Sequence, residues 1–145
     1  MFKKLRKNEK GFTLAELLIV VAIIGVLVAI SIPIFTSQLE KSRDAVTLSN
    51  IRAAYAQAQT AYLTGSNDGD NVVYTGKTAT TDATVVVKNV EAKGQSGSID
   101  NFDQLPFADK AAGLKDAANM GGTPGTYELT FTYDANGIKS VTASK

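Results

Sequence analysis

At 145 residues the chain has room for one domain, and 44% hydrophobic with 20% charged residues is ordinary for a globular protein. It has no Cys and no His, which excludes disulfides, thiolate nucleophiles, zinc–thiolate centres and His-based triads. The formal net charge of +1 conceals an asymmetry: Lys3, Lys4, Arg6, Lys7 and Lys10 crowd the first eleven residues, opposed only by Glu9, and leave 10 basic against 13 acidic residues behind them. No basic cluster remains in the rest of the chain to mark a nucleic-acid site.

The first predicted element, residues 1–11, is a short basic segment ending in Lys10-Gly11. Its charge is of the kind that holds an N-terminus on the cytoplasmic side of a membrane. From Phe12 to Phe35 the chain is almost wholly apolar. At 1.5 Å per residue, roughly 24 residues reach about 36 Å, enough to cross a hydrocarbon core of about 30 Å. A cleaved secretory signal would be shorter and would end in a small-residue site. Here the run continues through Pro33 and Phe35, so an uncleaved anchor or a filament helix fits better.

Residues 36–63 contain no Gly or Pro and stop at Thr64-Gly65-Ser66-Asn67, a strong helix stop. Leu48, Ile51, Tyr55, Ala58 and Tyr62 recur at helical spacing and form a stripe that faces the chain's own head. Leu39 and Val46 point nearly the opposite way, toward neighbouring helices. Gly25 and Pro33 are the weak points of this long helix. Proline lacks an N–H, leaves the carbonyl of Ala29 without its partner and predicts a kink.

Beyond Gly65 the pattern turns to strands. Val72–Tyr74 and Ala83–Val90 read as strands, and Phe107–Met120 as a short helix with Asp109 as its N-cap. The alternation of Tyr127, Leu129, Phe131 and Tyr133, followed by Asp134-Ala135-Asn136-Gly137, reads as a C-terminal hairpin. A three-residue loop with Gly137 in the left-handed conformation sets Phe131 opposite Val141 and Leu129 opposite Ala143, keeping one face apolar. The expected fold is therefore α+β. One long N-terminal helix, kinked near Gly25–Pro33, packs its C-terminal half on a small antiparallel sheet. The organisation is 1–11 leader, 12–35 apolar half-helix, 36–64 head-packing half-helix and 65–145 β-rich head.

Glu16 lies one turn into the apolar segment, where an ionised carboxylate at a bilayer centre costs about 3 kcal/mol. It needs headgroup water or a positive partner. A cut after Gly11 would give Phe12 a free α-amine one turn away, able to neutralise the Glu16 of a neighbouring copy. Alone, Glu16 also reads as an interfacial residue reaching water.

The string Lys10-Gly11-Phe12-Thr13-Leu14-Ala15-Glu16, followed by Leu17 through Gly25, resembles the N-terminal signature of type IV pilins and their pseudopilin relatives. The resemblance covers about residues 7–36, and Ala15 departs from the family's usual Val or Ile. It implies cleavage between Gly11 and Phe12 by a prepilin peptidase, N-methylation of Phe12, residence in the plasma membrane, and extraction by an assembly platform and its ATPase into a helical homopolymer. It implies assembly roles for Phe12, Thr13 and Glu16 and local melting between Gly25 and Pro33. The family's usual C-terminal disulfide loop is missing.

Three functions compete on the sequence alone. They are a structural subunit of an extracellular type IV pilus serving adhesion, motility or attachment, a pseudopilin of a type II secretion or DNA-uptake machine, and an unprocessed single-span protein with a binding head. No catalytic residues, cofactor or metal ligands are expected, and Asp134 and Asn136, the tempting oxygens in the hairpin, read as turn residues.

Overall fold

A computed structural model describes residues 11–116 and 119–145, so the basic segment 1–10 lies outside the described residues. The chain divides into two compact units, meeting after Gln38. Helix α1 spans Leu14–Thr64, 51 residues. It remains helical through Gly25 and Pro33. Near the proline, hydroxyls return to the backbone: Ser31 Oγ donates to the Leu27 carbonyl at 2.7 Å and Thr36 Oγ1 to the Pro33 carbonyl at 3.0 Å. The helix is uninterrupted at both Gly25 and Pro33.

In the unit Leu39–Lys145, strands β1 (Val72–Thr75), β2 (Ala83–Ala92), β3 (Gly125–Asp134) and β4 (Gly137–Ser144) form an antiparallel sheet in sequential order. Leu48, Ile51, Ala54, Ala58 and Ala61 of α1 are buried, with Tyr55 and Tyr62 packed beside them. This is the expected stripe, broadened by two alanines. Across from it lie Val85 and Val87 of β2, Tyr127, Leu129, Phe131 and Tyr133 of β3, and Val141 of β4, all buried. Rings join the two layers: Tyr62 stacks on Tyr133 with centroids 4.0 Å apart, and Phe107 bridges Tyr55 at 5.0 Å and Phe131 at 5.6 Å. Such aromatic pairs add roughly 0.5–1.5 kcal/mol each beyond the area they bury. Leu39 and Val46 stay exposed, at 40% and 43%.

Strand β2 carries a bulge that periodicity alone does not announce. Ala83, Val85 and Val87 face the core, but strict alternation would next send Asn89 and Glu91 inward. The register against β3 shifts between Val87 and Val90, and Asn89 takes φ of 60°. Val90 and Ala92 are thereby buried while Asn89 and Glu91 stay out. Asn is among the few side chains that tolerate this conformation.

The β3–β4 hairpin pairs Phe131 with Val141 and Leu129 with Ala143, the register that keeps one face apolar. The turn differs in detail from the expected three-residue loop. Asp134 pairs with Gly137, whose φ is 113°, and the extra residue falls at Lys139, between the Thr132–Ser140 and Tyr133–Ile138 pairs. Lys139 there reaches Asp82 at 2.7 Å. The Asp134 carboxylate accepts the Asn136 N–H at 2.7 Å, the local bond of an Asx turn.

The helix expected over Phe107–Met120 does not form as expected. Three short 3-10 turns run in succession here, the first, Phe102–Gln104, ahead of the expected helix and the others, Ala108–Lys110 and Ala112–Lys115, within it, and Ala117 and Ala118 lie outside the described residues. Asp109 sits inside the second turn and pairs with Lys110 at 2.8 Å rather than capping a helix. The reason lies in the spacing of Phe102, Leu105, Phe107, Ala111 and Leu114, all buried. Phe107, Ala111 and Leu114 would share one helical stripe, but buried Met120 falls off it, as do Phe102 and Leu105 ahead of the expected start, and repeatedly reset turns suit such a set better than one helix does.

Two glycines are required by close approach. A Cβ on Gly121 would lie 1.9 Å from the Lys115 carbonyl oxygen, and one on Gly94 would lie 2.7 Å from Asp44 Oδ1 and 3.2 Å from the Gly121 carbonyl oxygen. Gly121→Ala therefore destabilises the head more than Gly94→Ala, because backbone must move for the first and a side chain can give for the second; equilibrium denaturation of the full chain in detergent micelles measures the order. In the same assay Ile51→Ala, at a site with 0% exposure, lowers stability by about 2–5 kcal/mol.

Candidate functional site

The N-terminal end of α1 holds the residues singled out by the sequence. Gly11 and Phe12 precede the helix and are exposed, Phe12 at 89%. The peptide bond joining them lies between two exposed residues, and the helix does not begin until Leu14. A peptidase requires such an accessible, non-helical bond, because helical backbone groups are already hydrogen-bonded to one another.

Thr13 is the N-cap. Its hydroxyl accepts the Glu16 N–H at 3.2 Å, and the Glu16 carboxylate accepts the Thr13 N–H at 3.0 Å through Oε2. The Thr13 carbonyl takes the first helical bond, from Leu17 N–H at 3.1 Å. This reciprocal pair is a capping box, which satisfies donors that a helix start would otherwise leave bare, a serious matter in an apolar medium. A carboxylate in the first turn also sits favourably at the positive end of the helix dipole. The signal was present in the sequence as Thr13-Leu14-Ala15-Glu16 directly before an apolar run, and reading Glu16 for its charge alone passes over it. Glu16 Oε1 has no hydrogen-bond partner among the described residues, so capping occupies one carboxylate oxygen and leaves the other available.

The helix face behind this cap is the second component. Every large apolar side chain from Phe12 to Phe35 is at least 46% exposed. The segment is long and apolar enough to cross a membrane, with an 18-residue stretch of mean hydropathy 3.1, none of it buried. Gly25 has open space where a side chain would be, so nothing within the single chain requires a glycine there. Pro33 lies eight residues further along the same helix. In the Leu39–Lys145 unit, no group of three or more acidic residues suited to a metal ion occurs among the described residues.

The comparisons with known proteins fall on the same region. The profile of the prokaryotic N-terminal methylation motif matches residues 6–32. A type IV major fimbrial protein, FimA, of Dichelobacter nodosus is 35% identical over 111 residues, covering 66% of this chain and 71% of that protein. The type IV major alpha-pilin of Moraxella bovis is 31% identical over 107 residues, covering 72% of this chain and 65% of the relative. A fimbrial protein of Pseudomonas aeruginosa is 44% identical over 59 residues, 41% of this chain and 38% of the relative. The chain thus spans less than two thirds of the length of the Pseudomonas and Moraxella relatives. No solved structure matches it at a significant level. With the methylation motif lying on the capped, exposed apolar helix, and with the similarity to FimA continuing well beyond that helix, the chain belongs to the type IV pilin family.

Proposed function

We propose that this protein is the structural subunit of an extracellular type IV pilus. The observation that carries the reading is the stretch of helix from Leu14 to Phe35, whose large apolar side chains are left uncovered by the described residues. Such a surface is compatible with lipid before assembly and with other copies of itself afterwards. Removing apolar area from water contributes about 25 cal/mol per Å², and repetition over many subunits suffices for a non-covalent fibre.

In this reading residues 1–11 are a leader, removed between Gly11 and Phe12 by a prepilin peptidase on the cytoplasmic side, after which Phe12 is N-methylated. Residues 12–35 anchor the subunit in the plasma membrane and then form the filament core. Residues 36–64 serve as the support of the 65–145 head. An assembly platform and its ATPase extract the subunit, and the segment between Gly25 and Pro33 melts as the helices bundle. The filament serves adhesion, motility or surface attachment. The relatives' names, which speak of major pilins and fimbrial proteins, favour a pilus over the short pseudopilus of a secretion or DNA-uptake machine.

Glu16 has two tasks here. Its Oε2 caps its own helix, and its Oε1 is free to receive the Phe12 amine of a neighbour. The pairing neutralises a charge that is costly inside a bilayer or a packed filament.

The processing step is checked by the intact mass of the extracellular product, expected to equal residues 12–145 plus one methyl group; a product that keeps residues 1–11 is incompatible with it. Glu16→Ala is expected to insert and be cleaved, yet to yield filaments reduced on the order of tenfold in a shear-and-pellet assay, since a contact of about 1.4 kcal/mol shifts an equilibrium tenfold. Wild-type filament yield from the variant alone would rule out the Phe12–Glu16 pairing.

A further inference from the structure

The first turns of α1 within the Leu39–Lys145 unit grip the end of β2 and the loop after it through side chains. Glu40 Oε1 accepts the backbone N–H groups of Gln95 and of Ser96, the latter at 2.7 Å. Arg43 donates to Glu40 Oε2 at 3.2 Å and to the Gln95 side-chain oxygen at 3.3 Å. Thr47 Oγ1 accepts the Lys93 N–H at 2.9 Å, and Asn50 donates to the Glu91 carbonyl at 2.9 Å. One member of this row differs from the rest. Asp44 is 3% exposed, and among the described residues its Oδ2 receives only a long bond from the Asp100 N–H at 3.4 Å while its buried Oδ1 has no partner.

Oδ1 faces Gly94, and the Gly121 carbonyl oxygen approaches the same glycine. The surroundings of Oδ1 thus offer an acceptor where an ionised carboxylate needs donors. Among the described residues no charged group nearby, exposed Lys41 one turn earlier on α1 included, forms an ion pair with Asp44. On α1, Arg43 is engaged by Glu40. On the loop, Lys93 is engaged by Glu91 at 2.7 Å, and Asp100 adds a like charge. On the segment before Gly121, Lys115 is engaged by Asp103 at 3.3 Å, and Asp116 is again acidic. A carboxylate buried without donors or a counter-ion costs several kcal/mol in real proteins, and a proton removes that cost.

We propose that Asp44 is a proton-operated latch: protonated, it seats the loop from Lys93 to Asp100 on α1, and ionised, it loosens that loop. The neighbouring Glu40 is its opposite, a carboxylate held in the charged form by two backbone N–H groups and Arg43. The environments separate the two acids accordingly. Burial, then the nearby Glu40 and Asp100 charges, push Asp44 upward against the weak Asp100 N–H bond, whereas the Gln95 N–H above all draws Glu40 downward.

The pH dependence follows with opposite signs. Glu40 strengthens the closed loop above its ordinary value of 4.5, and that contribution is lost as pH falls through its lowered value. Asp44 favours the closed loop below its ordinary value of 3.8, and that contribution is lost as pH rises toward its raised value. The loop is therefore tightest in mild acid and loosens on both sides.

The experiment is NMR on the full-length chain in detergent micelles, reading the Asp44 carboxyl carbon and the exchange protection of the Gln95, Ser96 and Asp100 amides, corrected for intrinsic exchange. Asp44 is expected to titrate above the ordinary aspartate value of 3.8. Protection of the three amides should fall by up to about tenfold per pH unit above the optimum, until Asp44 is ionised. Asp44→Asn, neutral and equal in shape, should abolish this alkaline limb, and Glu40→Gln should abolish the acid limb. An Asp44 that titrates at or below the ordinary value of 3.8, or an Asp44→Asn chain with the wild-type alkaline limb, overturns the latch. Should the variant not fold, the wild-type carboxyl titration decides alone.

Discussion

The Leu39–Lys145 unit depends on one burial: the α1 face from Leu48 to Tyr62 against the inner face of the sheet. A sheet with one apolar side must bury that side against another element, and an isolated stretch of helix, even one rich in alanine, is marginal in water. Each supplies what the other lacks. Small residues at Ala54, Ala58 and Ala61 let the helix backbone come close, while the Tyr62–Tyr133 stack and the Tyr55–Phe107–Phe131 cluster join the helix to β3. The β2 bulge and the hairpin register both serve this contact, since each keeps apolar residues on the side where the helix lies.

The same helix presents the opposite situation over residues 14–35, where the chain supplies no covering layer. There the stabilising elements are internal to the helix: the capping box, the backbone hydrogen-bond ladder, and the hydroxyl bonds of Ser31 and Thr36 near Pro33. A helix built this way satisfies its own polar groups and leaves its apolar surface uncommitted. That combination suits a subunit required first in lipid and then among copies of itself, because neither environment has to provide backbone hydrogen bonds.

Acidic side chains on α1 divide along physical lines that their residue type does not reveal. Glu16 is exposed at a helix end and closes a cap. Glu40 gathers backbone donors from a loop more than fifty residues away in sequence. Asp44, one turn further on, is buried with almost none. Two things separate them: how deeply the fold buries the carboxylate and how many N–H groups it brings within reach.

The sequence by itself determined the extent of the apolar helix, its stop near Gly65, the stripe that faces the sheet, and the hairpin register of Phe131 and Leu129, because each follows from local periodicity or from a strong stop signal. The capping box was equally local and legible in Thr13-x-x-Glu16. Only the tertiary structure decided the rest. Whether Phe102 to Leu114 become a helix or three short turns depends on which directions lead to the core, and a bulge at Asn89 is needed only because Val90 and Ala92 have a sheet and a helix to fill. The state of Glu40 and Asp44 likewise depends on backbone amides contributed by a distant loop. Periodicity records which side of a segment is apolar; it carries no information on what will stand opposite.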